Sequence, residues 1–366
     1  MKIRELFSGF EEYGWETPSE EIAAKVGLPV EEIVRLDTNT SPFRPVRALE
    51  DLASALDTIE VNQYPDTSYL SLREDLAGYT GKGLDRFVIT NGADEGLDII
   101  TKVFLDPGDE VVITAPTYSM YRIASSIMGA RVVTVPRRKD FSIDVEKILA
   151  SVTPKTKAIF LCNPNNPTGD FTPIADLERL AEESRVAVAI DEAYFEFCGK
   201  SAVDLSDELE NVIVCRTLSK AFSMAGVRIG YLVAKPETVK KLNVVRPPNS
   251  VSVISLFLAE AALAHPDEMR GNVRSTVEER EKLVRRLGEI RGIEVYPSET
   301  NFLLFRVLDG DASAVHGELM GKGLVLRNLS RVQGVENCLR CTVSTPEIND
   351  RLVAALESAL AHGSER

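Results

Sequence analysis

The sequence predicts an α/β protein: a large domain on a mostly parallel seven-stranded sheet, plus a smaller α+β domain. Three observations carry this. Between about residues 48 and 245, seven short apolar runs alternate with helical patterns. Each run is continuous rather than alternating, as in strands buried on both faces. Pro247-Pro248 then breaks the pattern, and two long helical stretches, 251–264 and 267–290, follow it. After them come strand candidates at 301–307, 324–327 and 339–343 and a last helix near 347–361, an α+β order. At 366 residues a single small core is improbable. The expected division is an arm at 1–47 that joins part of the small domain, a large domain at 48–245 and a small domain at 246–366.

The arm reads as irregular with one short helix. Thr17-Pro18-Ser19-Glu20 has the form of a capping box with Pro at the first helical position, and Gly27 ends the helix. The seven runs are Phe87–Thr90, Val111–Ile113, Val132–Val135, Ala158–Leu161, Val186–Ile190, Val212–Val214 and Tyr231–Val233. No repeat or low-complexity segment occurs.

Composition bounds the function. Lys and Arg total 42 against 56 Asp and Glu, a net charge of −14. That balance argues against nucleic acid, which requires a basic face. It leaves room for a small anion held by a local donor cluster. No run reaches the length of a membrane span, and Met1–Leu6 lacks the apolar run of a signal peptide, so a cytoplasmic protein is expected. The five cysteines are scattered and odd in number. Cys338 and Cys341 form C-x-x-C within a predicted strand, where an odd offset sends the thiols to opposite faces. His265, His316 and His362 lie far apart and join no carboxylate motif, so no metal is expected.

In open α/β sheets ligands bind beyond the carboxyl ends of the strands. After Thr90 comes Asn91-Gly92-Ala93-Asp94-Glu95-Gly96, a tight turn opening a helix and a potential anion site. After Leu161 comes Cys162-Asn163-Pro164-Asn165-Asn166-Pro167-Thr168-Gly169, and after Ile190 comes Asp191-Glu192-Ala193-Tyr194. After Val214 come Arg216-Thr217-Leu218-Ser219-Lys220 and, eight residues beyond the lysine, Arg228. Singly, each of these reads as a loop, a cap or a surface cation. Jointly they supply what pyridoxal phosphate needs: an amine for a Schiff base, a carboxylate for the pyridine nitrogen, and donors for the phosphate.

Asn165–Gly169, Asp191–Tyr194 and Ser219–Phe222 through Arg228–Tyr231 resemble the class I/II (fold type I) aminotransferases. Within them, Arg216–Phe222 with Ala225–Arg228 is most similar to the histidinol-phosphate aminotransferases. Gly92–Glu95, Pro116–Tyr121, Tyr64-Pro65-Asp66 and Leu339–Val343 match as well, so the resemblance spans nearly the whole chain.

The resemblance implies a cofactor, pyridoxal 5′-phosphate, and a role for each residue. Lys220 would be the Schiff-base lysine and proton shuttle, Asp191 the partner of the pyridinium nitrogen, and Tyr194 and Asn166 donors to the 3′ oxygen. Tyr118 would stack on the ring. The phosphate would rest on backbone N–H groups of Ala93 and Asp94, on Thr217, Ser219 and Arg228, and on Tyr64 of a neighbouring subunit in a homodimer. Arg340, with Arg327, would take the acidic group of the substrates, glutamate or 2-oxoglutarate in one half-reaction and histidinol phosphate in the other. Tyr13 would close over the substrate.

The sequence departs from the family where the substrate lies. Asn39-Thr40-Ser41-Pro42-Phe43 stands in place of Asn-Glu-Asn-Pro-Tyr, and Tyr13-Gly14-Trp15-Glu16 in place of a Pro-Tyr and Pro-Gly segment. An aromatic amino-acid aminotransferase or a threonine-phosphate decarboxylase would use the same parts. A nucleotide-dependent enzyme would need G-x-G-x-x-G or a P-loop, and neither occurs.

Overall fold

A computed structural model describes residues 4–7 and 14–363. In chain order it contains α1 (Ser19–Val26), β1 (Val34–Leu36), α2 (Val46–Ala55), α3 (Leu70–Thr80), β2 (Phe87–Thr90), α4 (Gly92–Phe104) and β3 (Glu110–Ala115). It continues with α5 (Met120–Ile127), β4 (Arg131–Pro136), α6 (Val145–Ala150), β5 (Thr156–Cys162), α7 (Ile174–Ser184) and β6 (Ala187–Asp191). Next come α8 (Leu205–Glu208), β7 (Val212–Thr217), β8 (Gly230–Val233), α9 (Pro236–Val245), α10 (Val253–Ala264) and α11 (Pro266–Gly288). The chain closes with β9 (Ile293–Val295), β10 (Phe302–Val307), α12 (Ala312–Gly321), β11 (Leu324–Asn328), β12 (Cys338–Thr342) and α13 (Pro346–Gly363).

The seven expected runs form one sheet, ordered β2-β8-β7-β6-β5-β3-β4. All neighbours are parallel except those of β8, which runs antiparallel to β2 and β7. Strands β2, β5, β6, β7 and β8 are buried nearly throughout, because helices cover both faces. The exception is β4, where only Val135 is buried and Arg131, Thr134 and Pro136 are exposed.

A second sheet of five strands is ordered β1-β11-β12-β10-β9. Its apolar cluster includes Leu36, Leu303, Phe305, Leu326, Leu339 and Leu356. Helix α10 packs the other way: Leu258, Ala259 and Ala262 belong to the cluster of the seven-stranded sheet.

Three sequence expectations need correction. The arm is not merely irregular around a helix: β1 pairs in parallel with β11, Val34 opposite Leu324. A three-residue strand is too short to show periodicity, and its partner lies almost 300 positions away. The cap of α1 also differs, since Pro18 itself occupies the N-cap and no side chain caps the helix. Thr17 instead offers its carbonyl to Arg35. Finally, His265 does meet a carboxylate, with Nε2 2.7 Å from Asp51 Oδ2, tying the α10–α11 junction to α2. Cys338 and Cys341 enter different clusters, on opposite faces of β12.

Candidate active site

A cleft of about 450 Å³ opens over the carboxyl ends of β5, β6 and β7. Twelve residues singled out in the sequence line it: Ala93, Asp94, Tyr118, Asn166, Asp191, Tyr194, Thr217, Ser219, Lys220, Arg228, Arg327 and Arg340.

The floor is Asp191, the last residue of β6. In register it sits between Cys162 of β5 and Cys215 of β7. Its carboxylate accepts from Tyr121 Oη at 2.7 Å and from the Ala193 N–H at 3.1 Å. Burial pushes its carboxyl up to about 6, even though both hydrogen bonds favour the charged form. Tyr121 is fully buried and stacks on Phe160 with ring centroids 5.6 Å apart. Burial, then the Asp191 charge, raises its own phenol well above the usual range, so it stays a donor. Tyr121 ends the matching segment Pro116–Tyr121, but the sequence assigned it no role.

Lys220 lies just beyond β7. Its Nζ donates to the Thr38 carbonyl at 3.1 Å and stands 5.9 Å from the centroid of the Tyr194 ring. Withdrawal from solvent, with the positive charges of Arg340 and Arg228, draws this amine down to about 8. Thr38 reaches the site because β1 delivers it there.

At one end of the cleft donors converge. Helix α4 begins at Gly92, so the first-turn N–H groups of Ala93 and Asp94 face the cleft end. Thr217 Oγ1 donates to Ser219 Oγ at 2.8 Å, and Arg228 Nη1 donates to Ser219 Oγ at 3.4 Å. Arg228 Nη2 lies 3.4 Å from Asp94 Oδ2, and Tyr118 Oη donates to Asp94 Oδ1 at 2.9 Å. Two glycines make the approach possible. Gly92 has φ +78°, and a β-carbon there would run into the Arg228 guanidinium; one at Gly230 would fall 2.5 Å from the Gly92 carbonyl carbon.

At the other end Tyr194 Oη accepts from Asn39 Nδ2 at 3.1 Å and from Asn166 Nδ2 at 3.4 Å. Arg340 donates Nη1 to Asn166 Oδ1 and Nη2 to the Asp37 carbonyl. Arg327 is its cross-strand partner between β11 and β12. Arg327 Nη1 in turn lies 3.4 Å from Glu16 Oε1. Asp37 and Thr38 were absent from the sequence expectation, while Asn39 and Glu16 entered it only inside the two departing segments, with no role of their own.

Tyr64 is 83% exposed and does not line the cleft. Tyr13 lies outside the described residues.

Comparison with known proteins follows the same outline. The family model for aminotransferase class I and II matches residues 31–356. A histidinol-phosphate aminotransferase of Caldanaerobacter subterraneus subsp. tengcongensis is 41% identical over 329 residues, covering 89% of this chain and 93% of that one. One from Roseiflexus castenholzii is 38% identical and covers 97% of each chain. The crystal structure of histidinol-phosphate aminotransferase from Sinorhizobium meliloti in complex with pyridoxal-5′-phosphate superposes with a TM-score of 0.88. It is 27% identical and covers 99% of this chain and 98% of that one.

Proposed function

The chain belongs to the aminotransferase class I and II family, and from that premise we propose that it moves the amino group between histidinol phosphate and 2-oxoglutarate/glutamate, a step of histidine biosynthesis. The observation that carries the substrate reading is the cross-strand pair Arg327 and Arg340, both lining the cleft that holds Lys220. Two guanidinium groups suit a dianionic phosphate, and one suffices for a carboxylate.

The cleft fits pyridoxal 5′-phosphate. The close approach at Gly92 leaves the α4 N-terminus and Arg228 as a cradle for an anion, with a carboxylate at Asp191 and an amine at Lys220 beside it. When bound, that cofactor accepts the amino group from one substrate and passes it to the next, its ring drawing electrons from the reacting carbon.

The chain's own residues do the rest. The α4 N–H groups with Thr217, Ser219 and Arg228 hold the phosphate. Asp191, kept anionic by Tyr121 and the Ala193 N–H, holds a proton on the pyridine nitrogen. Tyr194 and Asn166 orient the 3′ oxygen, and Tyr118 covers the ring. Lys220 Nζ, pulled down to about 8, loses its proton at mildly alkaline pH and can then take one from the substrate's amino-bearing carbon.

A homodimer that completes the site is part of this reading. Leu56, Val61, Tyr64 and Leu70 are exposed, and Leu70 lines a hollow together with Ile59, Tyr69, Leu256 and Phe257. Exposed apolar side chains of this kind suit a second copy of the chain, which would bring Tyr64 to its neighbour's phosphate. No helix among the described residues is long and apolar enough to cross a membrane; a cytoplasmic site of action goes with the proposed pathway.

The test is a half-reaction titration of the purified holoprotein. Histidinol phosphate at low concentration should abolish the visible absorbance of the bound cofactor, and phenylalanine should do so only at high concentration. Preference for phenylalanine, or release of carbon dioxide from O-phosphothreonine, would overturn the assignment.

A further inference from the structure

The two arginines of the cleft are held differently. Arg340 is buried and clamped between Asn166 and the Asp37 carbonyl. Arg327 is held by the carboxylate of Glu16, 311 positions away in sequence, and the two side chains are 31% and 33% exposed. Cross-strand like charges repel, and no substrate is needed for Arg327 and Arg340 to face each other. Glu16 neutralises that repulsion in the resting protein.

Glu16 is itself positioned from below. The Thr17 carbonyl accepts from Arg35 Nη1 at 2.8 Å, and Arg35 forks onto Asp37 at 2.9 and 2.7 Å. The Glu16 charge also acts on Arg35. A cation therefore remains beside Glu16 if Arg327 turns away.

We propose that Glu16 is a specificity-determining residue: it shares Arg327 with the incoming substrate and yields it to a dianion more readily than to a monoanion. The inference rests on the proposed reading, in which this arginine pair receives the acidic group. A carboxylate substrate is satisfied by the fixed Arg340. A phosphate monoester carries a second charge and a third oxygen, and these draw Arg327 off Glu16. The half-exposed ion pair is weak enough to exchange without loss of the fold.

The test measures histidinol phosphate, glutamate and inorganic phosphate binding to the holoenzyme in Glu16→Gln. Affinity for both phosphorylated ligands should rise about three- to fivefold, the scale of one exposed ion pair, and the ratio to glutamate should rise with it. In an Arg327→Ala background the same substitution should have no such effect. Weaker phosphate binding in Glu16→Gln, an equal change for glutamate, or an unchanged effect in the Arg327→Ala background would overturn it. Failure of histidinol phosphate to react with the wild type would instead count against the proposed activity, and inorganic phosphate would still report on Glu16.

Discussion

Tyr121 donates its hydroxyl to Asp191 across 70 positions of sequence at 2.7 Å, and the second carboxylate oxygen takes the Ala193 N–H. The hydroxyl therefore favours an anionic Asp191 in a place where burial opposes it. Tyr121→Phe keeps the stack on Phe160 and removes the hydroxyl that makes this bond. Loss of a hydrogen bond to a charged group costs about 1.5–3 kcal/mol. Cofactor affinity, read by fluorescence titration of the apoprotein, should fall at least about tenfold, and its acid limb should move above pH 6. An unmoved limb with unchanged affinity would leave Tyr121 a packing residue.

Asp191 should also set a pH dependence of stability. Its carboxyl is raised to about 6 from an ordinary 3.8. Between those values the folded apoprotein holds a proton that the unfolded chain has lost, so stability should fall as pH rises through that window. Asp191→Asn should remove the fall and stabilise the apoprotein at pH 7 by on the order of 2 kcal/mol, while cofactor binding drops. Urea denaturation at pH 4 and pH 7 would show it, and parallel curves for the two proteins would refute it.

The amine of Lys220 is drawn down to about 8, so its neutral fraction grows as pH climbs through that value. The rate of cofactor capture by the apoprotein should climb with it. Arg340→Gln removes one of the positive charges responsible and should move the midpoint to higher pH. A midpoint near that of an ordinary lysine in the wild type would contradict this account.

Substituting Ala at Gly92 forces a side chain into φ +78° and against Arg228. The strain should cost about 1–2 kcal/mol in thermal unfolding. Phosphate anchoring should suffer further, so cofactor affinity should fall by more than stability alone explains. Equal losses in holo- and apoprotein stability would limit Gly92 to a backbone role.

If Tyr64 serves the neighbouring subunit, two inactive variants should complement each other. Lys220→Ala and Tyr64→Ala proteins, unfolded together and refolded, should recover activity that neither shows alone. Sedimentation should find dimers in each sample. Mixed dimers without recovered activity would place Tyr64 outside the partner's site.

How much of this was legible beforehand follows sequence distance. Asp191, Lys220 and Arg228 sit in short motifs at strand ends, and the parallel sheet that aligns those ends shows as seven apolar runs. Thr38 was invisible, and Asn39 showed only as the start of a departing segment without a role, because their partners Lys220 and Tyr194 lie 182 and 155 positions away. Tyr121 closed the matching segment Pro116–Tyr121 but had no role until α5 carried it under Asp191.

Local patterns alone determined the α/β architecture, the strand-end motifs and the expectation of a lysine-bound cofactor, since burial periodicity and turn chemistry act over a few residues. The β1–β11 pairing that brings Asp37, Thr38 and Asn39 to the cleft, and the facing of Arg327 and Arg340, were decided only in three dimensions. Register between distant strands depends on the whole core they share, and no short window of sequence encodes it.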